Sequence, residues 1–325
     1  MLRLLVAMLL AAAPAYAQIE PLPSWSDGEA KSAILDFVTA VTDEGSPGFV
    51  PEVDRMAVFD NDGTLWAEQP VYFQFLYAID EAREMAAADR AWAATPALRA
   101  AAAGDVAGAV KGGEAALREI IIATHSGMTV DAFTAQVAAW LAKATHPVTG
   151  RKYTDMVYQP MLELLDYLRA NDFETYIVSG GGVDFLRAFA EDAYGIPPEQ
   201  VIGSMGEARF EIVDGVPQVL KDPGIAFIDD KGGKPVGILR HIGRRPVFVA
   251  GNSDGDLAML QWVTTGGGPR LGLIVHHTDT EREFAYDRDS HVGRLSEALD
   301  LAPGNAWIVV DMAEDWAQIY PDATK

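Results

Sequence analysis

The sequence contains no cysteine, and this absence excludes several kinds of site. Disulfide bonds, thiolate nucleophiles and cysteine-ligated zinc are ruled out for the whole 325-residue chain. Basic residues are also scarce, since 25 Lys and Arg stand against 47 Asp and Glu and give a net charge of −22. A chain this acidic repels nucleic-acid phosphates, so we expect no general nucleic-acid binding. It also repels small anions, so an anionic substrate would need a local cation.

Long apolar runs are missing after the N-terminal region. No later segment reaches the ~18 apolar residues of a transmembrane helix, so we expect no membrane span in the mature chain. At the N-terminus, Arg3 is followed by the apolar stretch Leu4–Ala13 and by Ala15-Tyr16-Ala17. This order is typical of a cleavable signal peptide. We therefore predict that residues 1–17 are removed after Ala17 and that the protein is periplasmic or secreted.

The pattern of strands and helices predicts an α/β fold with a mostly parallel sheet. Ser26 and Glu29 resemble a capping box, which predicts the start of a helix that ends near Thr42. Further helices are predicted over 71–88, 113–124, 129–144, 158–170, 183–194, 235–242 and 254–262. Strands are predicted over 56–59, 174–178, 208–213, 216–220, 246–250, 270–276 and 306–311.

These elements divide the chain into a core and two inserts. Residues 18–68 are predicted to form the first part of the core, and the Ala-rich stretch 69–155 a helical insert. Residues 156–325 are predicted to complete the core. They contain a small hairpin insert at about 203–222, which turns at Asp214-Gly215.

Polar residues directly follow three of the predicted strands. Asp60 and Asp62 follow the strand over 56–59. Ser179 and the glycines 180–182 follow the strand over 174–178, and the segment 251–256 follows the strand over 246–250. Because the carboxyl ends of parallel strands border one crevice, these groups are expected to converge there.

This set of residues suits a divalent cation and a phosphate group. Two acids at a strand end can bind Mg²⁺ through one carboxylate and one backbone carbonyl. Ser179, the amides of Gly180 and Gly181, and Lys234 offer donors for phosphate oxygens. Lys231 and Lys221 are alternatives for the lysine, but Pro235 marks a helix start directly after Lys234.

Four segments resemble the motifs of the haloacid dehalogenase-like superfamily. Residues 59–65 (FDNDGTL) are similar to its first motif, DxDGT, and residues 177–180 (IVSG) to its second. Lys234 fits the third motif, and residues 251–256 (GNSDGD) resemble the acidic fourth. The phosphoserine-phosphatase-like branch is the most similar, and the small hairpin resembles the second insert of that branch.

The resemblance implies a Mg²⁺-dependent phosphomonoester hydrolase. Asp60 would be the nucleophile that forms an aspartyl-phosphate, and Asp62 the general acid and base. Asp60, the Asp62 carbonyl and one fourth-motif residue would hold Mg²⁺. The helical insert would be a cap that closes over a small phosphorylated substrate. A phosphotransferase with the same site, or an exported binding protein that has lost turnover, are the alternatives.

One residue departs from the family pattern. Asn252 stands where the fourth motif usually has an acid, so the predicted metal site is one negative charge poorer. We expect Asn252 to be the direct ligand and Asp256 to support Lys234 or a water on the metal. Asp254 is an alternative metal ligand, or it caps the following helix. On this reasoning, Asn252→Asp should tighten metal binding.

Other polar residues are weaker candidates. Glu68 and Trp66 follow the first motif and could line the substrate pocket. His276 and His277 follow a strand, but neighbours on a strand point to opposite faces, so substrate contact or a structural role is expected more than a metal pair. Basic residues of the helical insert could select the substrate: Arg99, Lys111 and Arg118.

Overall fold

The computed structural model describes residues 20–322, so the predicted signal peptide and its cleavage site lie outside the described residues. In that range the chain forms seven strands and thirteen α-helices. The strands are β1 (Met56–Phe59), β2 (Glu174–Gly182), β3 (Val201–Val213), β4 (Val216–Phe227), β5 (Phe248–Gly251), β6 (Leu271–His276) and β7 (Ile308–Asp311). The helices are α1 (Glu29–Thr42), α2 (Phe73–Ala88), α3 (Pro96–Ala102), α4 (Val106–Val110), α5 (Gly113–His125), α6 (Val130–Leu141), α7 (Gln159–Ala170), α8 (Val183–Arg187), α9 (Ala190–Tyr194), α10 (Gly233–His241), α11 (Leu257–Thr264), α12 (Glu297–Asn305) and α13 (Met312–Asp315).

The seven strands form one sheet in the order β4-β3-β2-β1-β5-β6-β7. Every pairing is parallel except the hairpin pair β3–β4. This confirms the predicted fold class. From β1 the chain adds strands first towards β3 and then, after the hairpin, towards β7, so the direction of strand addition reverses at β1. Ligand crevices of open α/β sheets lie at such a point.

Strand β1 is buried on both faces, as its continuous apolar sequence predicts. Ala57 and Phe59 belong to one hydrophobic core, and Val58 belongs to the other. The first core includes residues of α1 and α7, and the second includes residues of α10, α11 and α12. The helices therefore hold the central strand rigidly, and with it the residues that follow Phe59.

Helices α2 to α6 occupy the stretch that the sequence predicts to be helical. Helices α2, α3, α4 and α5 contribute to a separate hydrophobic core, in which Phe75 and Ile79 of α2 pack with Leu98 and Ile120. The short helices α3 and α4 were not predicted. The domain boundaries at 69 and 155 stay a prediction. Within residues 20–322 no helix is both long enough and apolar enough to cross a membrane.

The hairpin turns at Asp214-Gly215, as predicted, but its strands are longer than the sequence indicated. Both turn residues have positive φ, 50° and 80°, as a type I′ turn requires. On the outer side of β4, Lys221 donates its backbone N–H to the Met128 carbonyl and accepts from the Gly127 N–H, both at 2.8 Å. The loop between α5 and α6 therefore pairs with the edge strand of the sheet.

Some local predictions were wrong. Helix α1 begins after Gly28 without a side-chain cap, and the Ser26 N–H instead donates to the Asp315 carbonyl. Tertiary pairing therefore replaces the predicted capping box. The helix predicted over 183–194 is divided into α8 and α9. Helix α11 begins at Leu257, three residues later than predicted, and α12 was not predicted because Pro303 lies inside it.

Candidate active site

Lys234 joins three of the predicted motifs in one buried cluster. Its Nζ donates to Asp60 Oδ1 at 2.6 Å, to Asp256 Oδ1 at 2.6 Å and to the Val178 carbonyl at 2.9 Å. Only 2% of the lysine surface is exposed. Burial opposes its charged form, but the carboxylates of Asp256 and Asp60 outweigh burial and raise the pKa of Lys234. The lysine is therefore a cation within the site.

The other two lysines point elsewhere. Lys231 is exposed, and Lys221 forms an ion pair with Asp184. Lys234 lies in the first turn of α10, which begins one residue earlier, at Gly233. The structure thus selects Lys234 among the three lysines considered from the sequence.

Asp60 and Asp62 both lie in the crevice beyond β1, in different environments. Burial, followed by the neighbouring Asp256 carboxylate, raises the pKa of Asp60 against the opposing effect of Lys234. Burial also raises the pKa of Asp62, whose Oδ1 accepts a 2.8 Å hydrogen bond from Trp66 Nε1. Trp66 is fully buried and stacks on Phe189, so it fixes the Asp62 carboxyl. A raised pKa suits a group that must carry a proton to a leaving oxygen.

The C-terminal end of β2, which extends past its predicted end at Val178 to Gly182, presents a hydroxyl, although its amides are partly engaged. Ser179 is buried, and its Oγ accepts from the Gly181 N–H at 3.1 Å, which leaves the hydroxyl hydrogen to donate. The Gly182 N–H donates to Gln74 Oε1 at 2.8 Å. The Gly181 N–H, which was predicted to donate to phosphate, thus donates to Ser179 Oγ. Gly180, the other predicted donor, packs near Asp230.

The fourth motif folds around the carboxylate of Asp256. Its Oδ2 accepts the backbone N–H groups of Asn252 and Ser253 at 3.0 and 3.1 Å, while its Oδ1 holds Lys234. Asp256 therefore supports Lys234, as expected, and also shapes the loop that presents Asn252. Its burial is complete.

Asp254 faces away from this cluster. Its Oδ1 accepts the N–H groups of Ser296 and Ala298 at 3.0 Å, at the start of α12, and its Oδ2 lies 3.5 Å from Arg294. The Asp254 carboxylate thus binds N–H groups at the start of α12, and not those of α11, which follows it in sequence. The metal role considered for Asp254 stays a prediction, and this arrangement disfavours it.

Glu68 lies against the first and fourth motifs. It is 1% exposed, and its Oε1 accepts from Asn252 Nδ2 at 2.7 Å and from the Tyr286 hydroxyl at 2.8 Å. Burial, then the charge of Asp62, raises the pKa of Glu68. The contact with substrate predicted for Glu68 stays a prediction.

His276 ends β6 and His277 follows it, and the two side chains lie in different environments. His277 is buried, stacks on Tyr286 and donates from Nε2 to the Gly63 carbonyl at 2.8 Å. His277 therefore supports the first-motif loop. His276 is partly exposed, and its Nε2 lies 3.5 Å from Asp287 Oδ2.

The donor set fits a divalent cation. Asp60, Asp62, Glu68 and Asp256 bring four carboxyl groups into a buried network that contains one lysine, so the site is short of positive charge. The Asp62 carbonyl accepts no backbone hydrogen bond among the described residues. Together with Asp60 and the Asn252 amide it offers the hard oxygen donors that Mg²⁺ prefers.

No cluster of three His, Asp or Glu side chains within residues 20–322 is arranged to hold a metal by side chains alone. A set of one carboxylate, one carbonyl and one amide does not depend on such a cluster.

Sequence reasoning missed the residues of the helical segment that reach the site. Gln74 of α2 contacts Gly182 at the C-terminal end of β2, and His125 of α5 contacts Gln74. The basic residues proposed for substrate selection are instead exposed: Arg99, Lys111 and Arg118. The apolar pattern of α2 marked its buried face, but nothing in that pattern distinguished Gln74 from a solvent-facing glutamine.

The fold and this cluster define an α/β protein with a candidate active site at the carboxyl edge of a parallel sheet. A protein-family model described as haloacid dehalogenase-like hydrolase matches residues 57–261, which is well over half of the chain. The chain therefore belongs to the haloacid dehalogenase-like hydrolases, as the four motifs indicated. No curated protein is significantly similar to it in sequence.

Solved structures are similar to this chain at low sequence identity. A conserved protein of unknown function from Anaerococcus prevotii is 17% identical with a TM-score of 0.50, covering 77% of this chain and 86% of that one. A protein of unknown function from Bordetella pertussis is also 17% identical with a TM-score of 0.50, covering 79% and 98%. A probable phosphoserine phosphatase from Vibrio cholerae is 15% identical with a TM-score of 0.37, covering 75% and 65%. Similarity at this level concerns the fold and selects no substrate.

Proposed function

We propose that this protein is an exported, Mg²⁺-dependent phosphomonoester hydrolase that acts on a small phosphorylated metabolite through an aspartyl-phosphate. The observation that carries the proposal is the buried contact of Lys234 with Asp60 and Asp256, at the point where the first, second and fourth motifs meet. The signal-peptide pattern of residues 1–17 supports export.

The chain's own residues can perform both chemical steps. Lys234 holds Asp60 Oδ1, which leaves Oδ2 to attack phosphorus in line with the leaving oxygen. As the new O–P bond forms and the old one breaks, Asp62 gives its proton to the departing alkoxide. Asp62 then takes a proton from water, the water oxygen attacks phosphorus, and the bond to Asp60 breaks to release phosphate.

Substrate phosphate would accept from the Ser179 hydroxyl and lie near the charge of Lys234, whose three N–H donors are held by Asp60, Asp256 and the Val178 carbonyl. Asp60, the Asp62 carbonyl and Asn252 Oδ1 are the groups that would hold Mg²⁺. When bound, the ion supplies positive charge that offsets the phosphate oxygens. The enclosed position of Lys234 and Ser179 excludes most solvent, which strengthens these interactions.

The test is release of inorganic phosphate from p-nitrophenyl phosphate with and without Mg²⁺. Asp60→Asn should lower turnover at least ~100-fold while the protein stays folded, because the amide is a poor nucleophile. Asp254→Asn is the matched control, since it makes the same change in a residue that faces α12 and should keep near-normal turnover. Full activity of Asp60→Asn would refute the nucleophile assignment.

Product analysis with an added alcohol separates hydrolysis from phosphotransfer, because a transferase forms a new phosphoester at the expense of free phosphate. A screen of phosphorylated metabolites would then identify the substrate. Absence of turnover in the folded, Mg²⁺-loaded protein would favour the binding-protein alternative.

A further inference from the structure

We propose that Glu68 is a positioning residue that orients the side-chain amide of Asn252. In this inference Asn252 donates a hydrogen bond to Glu68, which an ionised aspartate at position 252 could not do. The need for this donor accounts for the asparagine in the fourth motif. The inference rests on the proposed function, because it concerns the residue assigned to Mg²⁺. If the pair forms as proposed, the missing acid at position 252 is no sign of lost turnover.

The hydrogen bonds distinguish the two ends of the Asn252 amide. Its Nδ2 donates to Glu68 Oε1 at 2.7 Å, and its Oδ1 accepts from the Thr64 hydroxyl at 3.2 Å. A rotation of the amide by 180° would place oxygen against oxygen at Glu68. The pair therefore fixes the amide with Oδ1 on the side of the first-motif loop, and an amide oxygen is the atom that can bind a hard cation.

The backbone at two glycines packs closely against the side chains of Glu68 and Asn252 and leaves no space beside them. Asn252 and Glu68 are each 1% exposed. A Cβ atom on Gly63 would lie 2.0 Å from Asn252 Nδ2, and one on Gly293 would lie 1.8 Å from Glu68 Oε1. Both glycines have positive φ, 74° and 64°. Tyr286 holds the same Glu68 oxygen, so the acceptor itself is fixed.

This geometry reverses the expectation that an aspartate at position 252 would tighten the metal. In Asn252→Asp, two carboxyl groups would meet at the distance of a hydrogen bond, with no donor between them unless one of them takes up a proton. Gln at position 68 would supply that donor. The double variant Glu68→Gln/Asn252→Asp therefore restores the pair with its direction reversed, and it keeps the net charge of the wild type.

The experiment compares wild type, Asn252→Asp, Glu68→Gln and the double variant. Mg²⁺ affinity is measured by calorimetry without substrate, and stability by urea unfolding without metal. We expect Asn252→Asp to weaken Mg²⁺ binding at least about tenfold, which is typical when the orientation of a metal ligand is lost. Glu68→Gln should weaken it less, because the glutamine oxygen can still accept from Asn252 Nδ2. The double variant should return to within about threefold of wild type. Asn305→Asp, the same change at an exposed position, should leave the affinity unaltered.

Tighter Mg²⁺ binding by Asn252→Asp, or a double variant no better than Asn252→Asp, would overturn the inference. If Asn252→Asp does not fold, recovery of a folded protein by the added Glu68→Gln change supports the pair, and failure to recover overturns it. If wild type binds no Mg²⁺, the proposed function fails. The existence of the Glu68–Asn252 pair is then tested by the unfolding data alone. If the changes in unfolding free energy of the two single variants add up to that of the double variant, the inference is overturned.

Discussion

Gln74 and His125 form a hydrogen-bonded link with a defined direction between the helical segment and the C-terminal end of β2. Thr124 Oγ1 donates to the Ile120 carbonyl at 2.8 Å, so its oxygen accepts from His125 Nδ1, also at 2.8 Å. His125 Nε2 then accepts from Gln74 Nε2 at 3.2 Å, and Gln74 Oε1 accepts the Gly182 N–H. The link requires neutral His125 with its proton on Nδ1.

Gln74→Glu should disturb both the histidine and the loop. A carboxylate can still accept from Gly182, but it offers His125 Nε2 no donor and favours the protonated ring. We expect the pKa of His125 to rise, as measured by NMR titration of its ring nitrogens, and kcat/KM to fall about tenfold. Gln261→Glu, an exposed change of the same kind, should alter neither. An unchanged His125 titration in Gln74→Glu would show that the link is not formed.

His125 should make the protein less stable in acid. Burial, helped by the nearby Lys221 charge, lowers the pKa of His125 from 6.5 to about 3. The unfolded chain therefore takes up a proton below pH 6.5 that the folded protein does not. The contribution of His125 to the free energy of unfolding is complete above pH 6.5. It is lost as the pH falls towards 3, by up to about 1.4 kcal/mol per pH unit.

Urea unfolding at pH 7, 6 and 5 measures this contribution. His125→Gln should show a shallower loss of unfolding free energy between pH 6.5 and 5 than wild type. Parallel profiles for the two proteins would contradict a buried neutral histidine.

Asp229→Asn should stabilise the protein at alkaline pH. Asp229 is fully buried, and neither carboxyl oxygen has a hydrogen-bond partner among the described residues. Burial raises its pKa to about 7; Lys234 opposes this shift and Asp230 adds to it. A raised carboxyl pKa means that the folded state retains a proton that the unfolded state loses, so wild-type stability falls between pH 4 and 7 and is lowest above 7.

The advantage of Asp229→Asn over wild type should therefore grow by up to about 3 kcal/mol from pH 5 to pH 8. Chemical unfolding of both proteins at the two pH values checks this. Asp289→Asn is a control at an exposed position, and its difference from wild type in unfolding free energy should be the same at the two pH values. A constant difference between wild type and Asp229→Asn would rule out a titrating group at 229.

Mg²⁺ should stabilise the folded protein, because it adds positive charge to a cluster of buried carboxyl groups. At 100 times its dissociation constant, the ion should raise the free energy of unfolding by about 2.7 kcal/mol. Thermal unfolding with Mg²⁺ and with EDTA should thus differ in Tm by several degrees. The Asp60→Asn variant should show a smaller difference, and an equal one would exclude Asp60 as a ligand.

The end of β1 could be predicted from the sequence, and so could the residues that follow it, whereas β2 extends past its predicted end at Val178 to Gly182. The continuous burial of β1 and the position of Asp60 after it follow from one apolar run. The partner of Lys234 could be anticipated because parallel strands bring their carboxyl ends together. These parts depend on local pattern and on the topology of the sheet.

The remaining parts depend on contacts between distant residues. Glu68 meets Asn252 across 184 positions, and Gln74 meets Gly182 across 108. Asp254 lies where a metal ligand or a cap for α11 was expected, but its partners at the start of α12 come more than 40 positions later. Periodicity does not encode such pairs, and the glycines at 104, 108 and 112 hide the short helices α3 and α4.

The pairing of Lys221 with the loop between α5 and α6 has a consequence for dissecting this protein. That loop occupies backbone groups of β4 that would otherwise be exposed at the margin of the sheet. A truncated form without the helical segment would uncover them beside the apolar side chains of Phe210 and Val219. Such a fragment would be prone to self-association through its exposed edge strand β4. The core is therefore best studied with helices α2 to α6 attached.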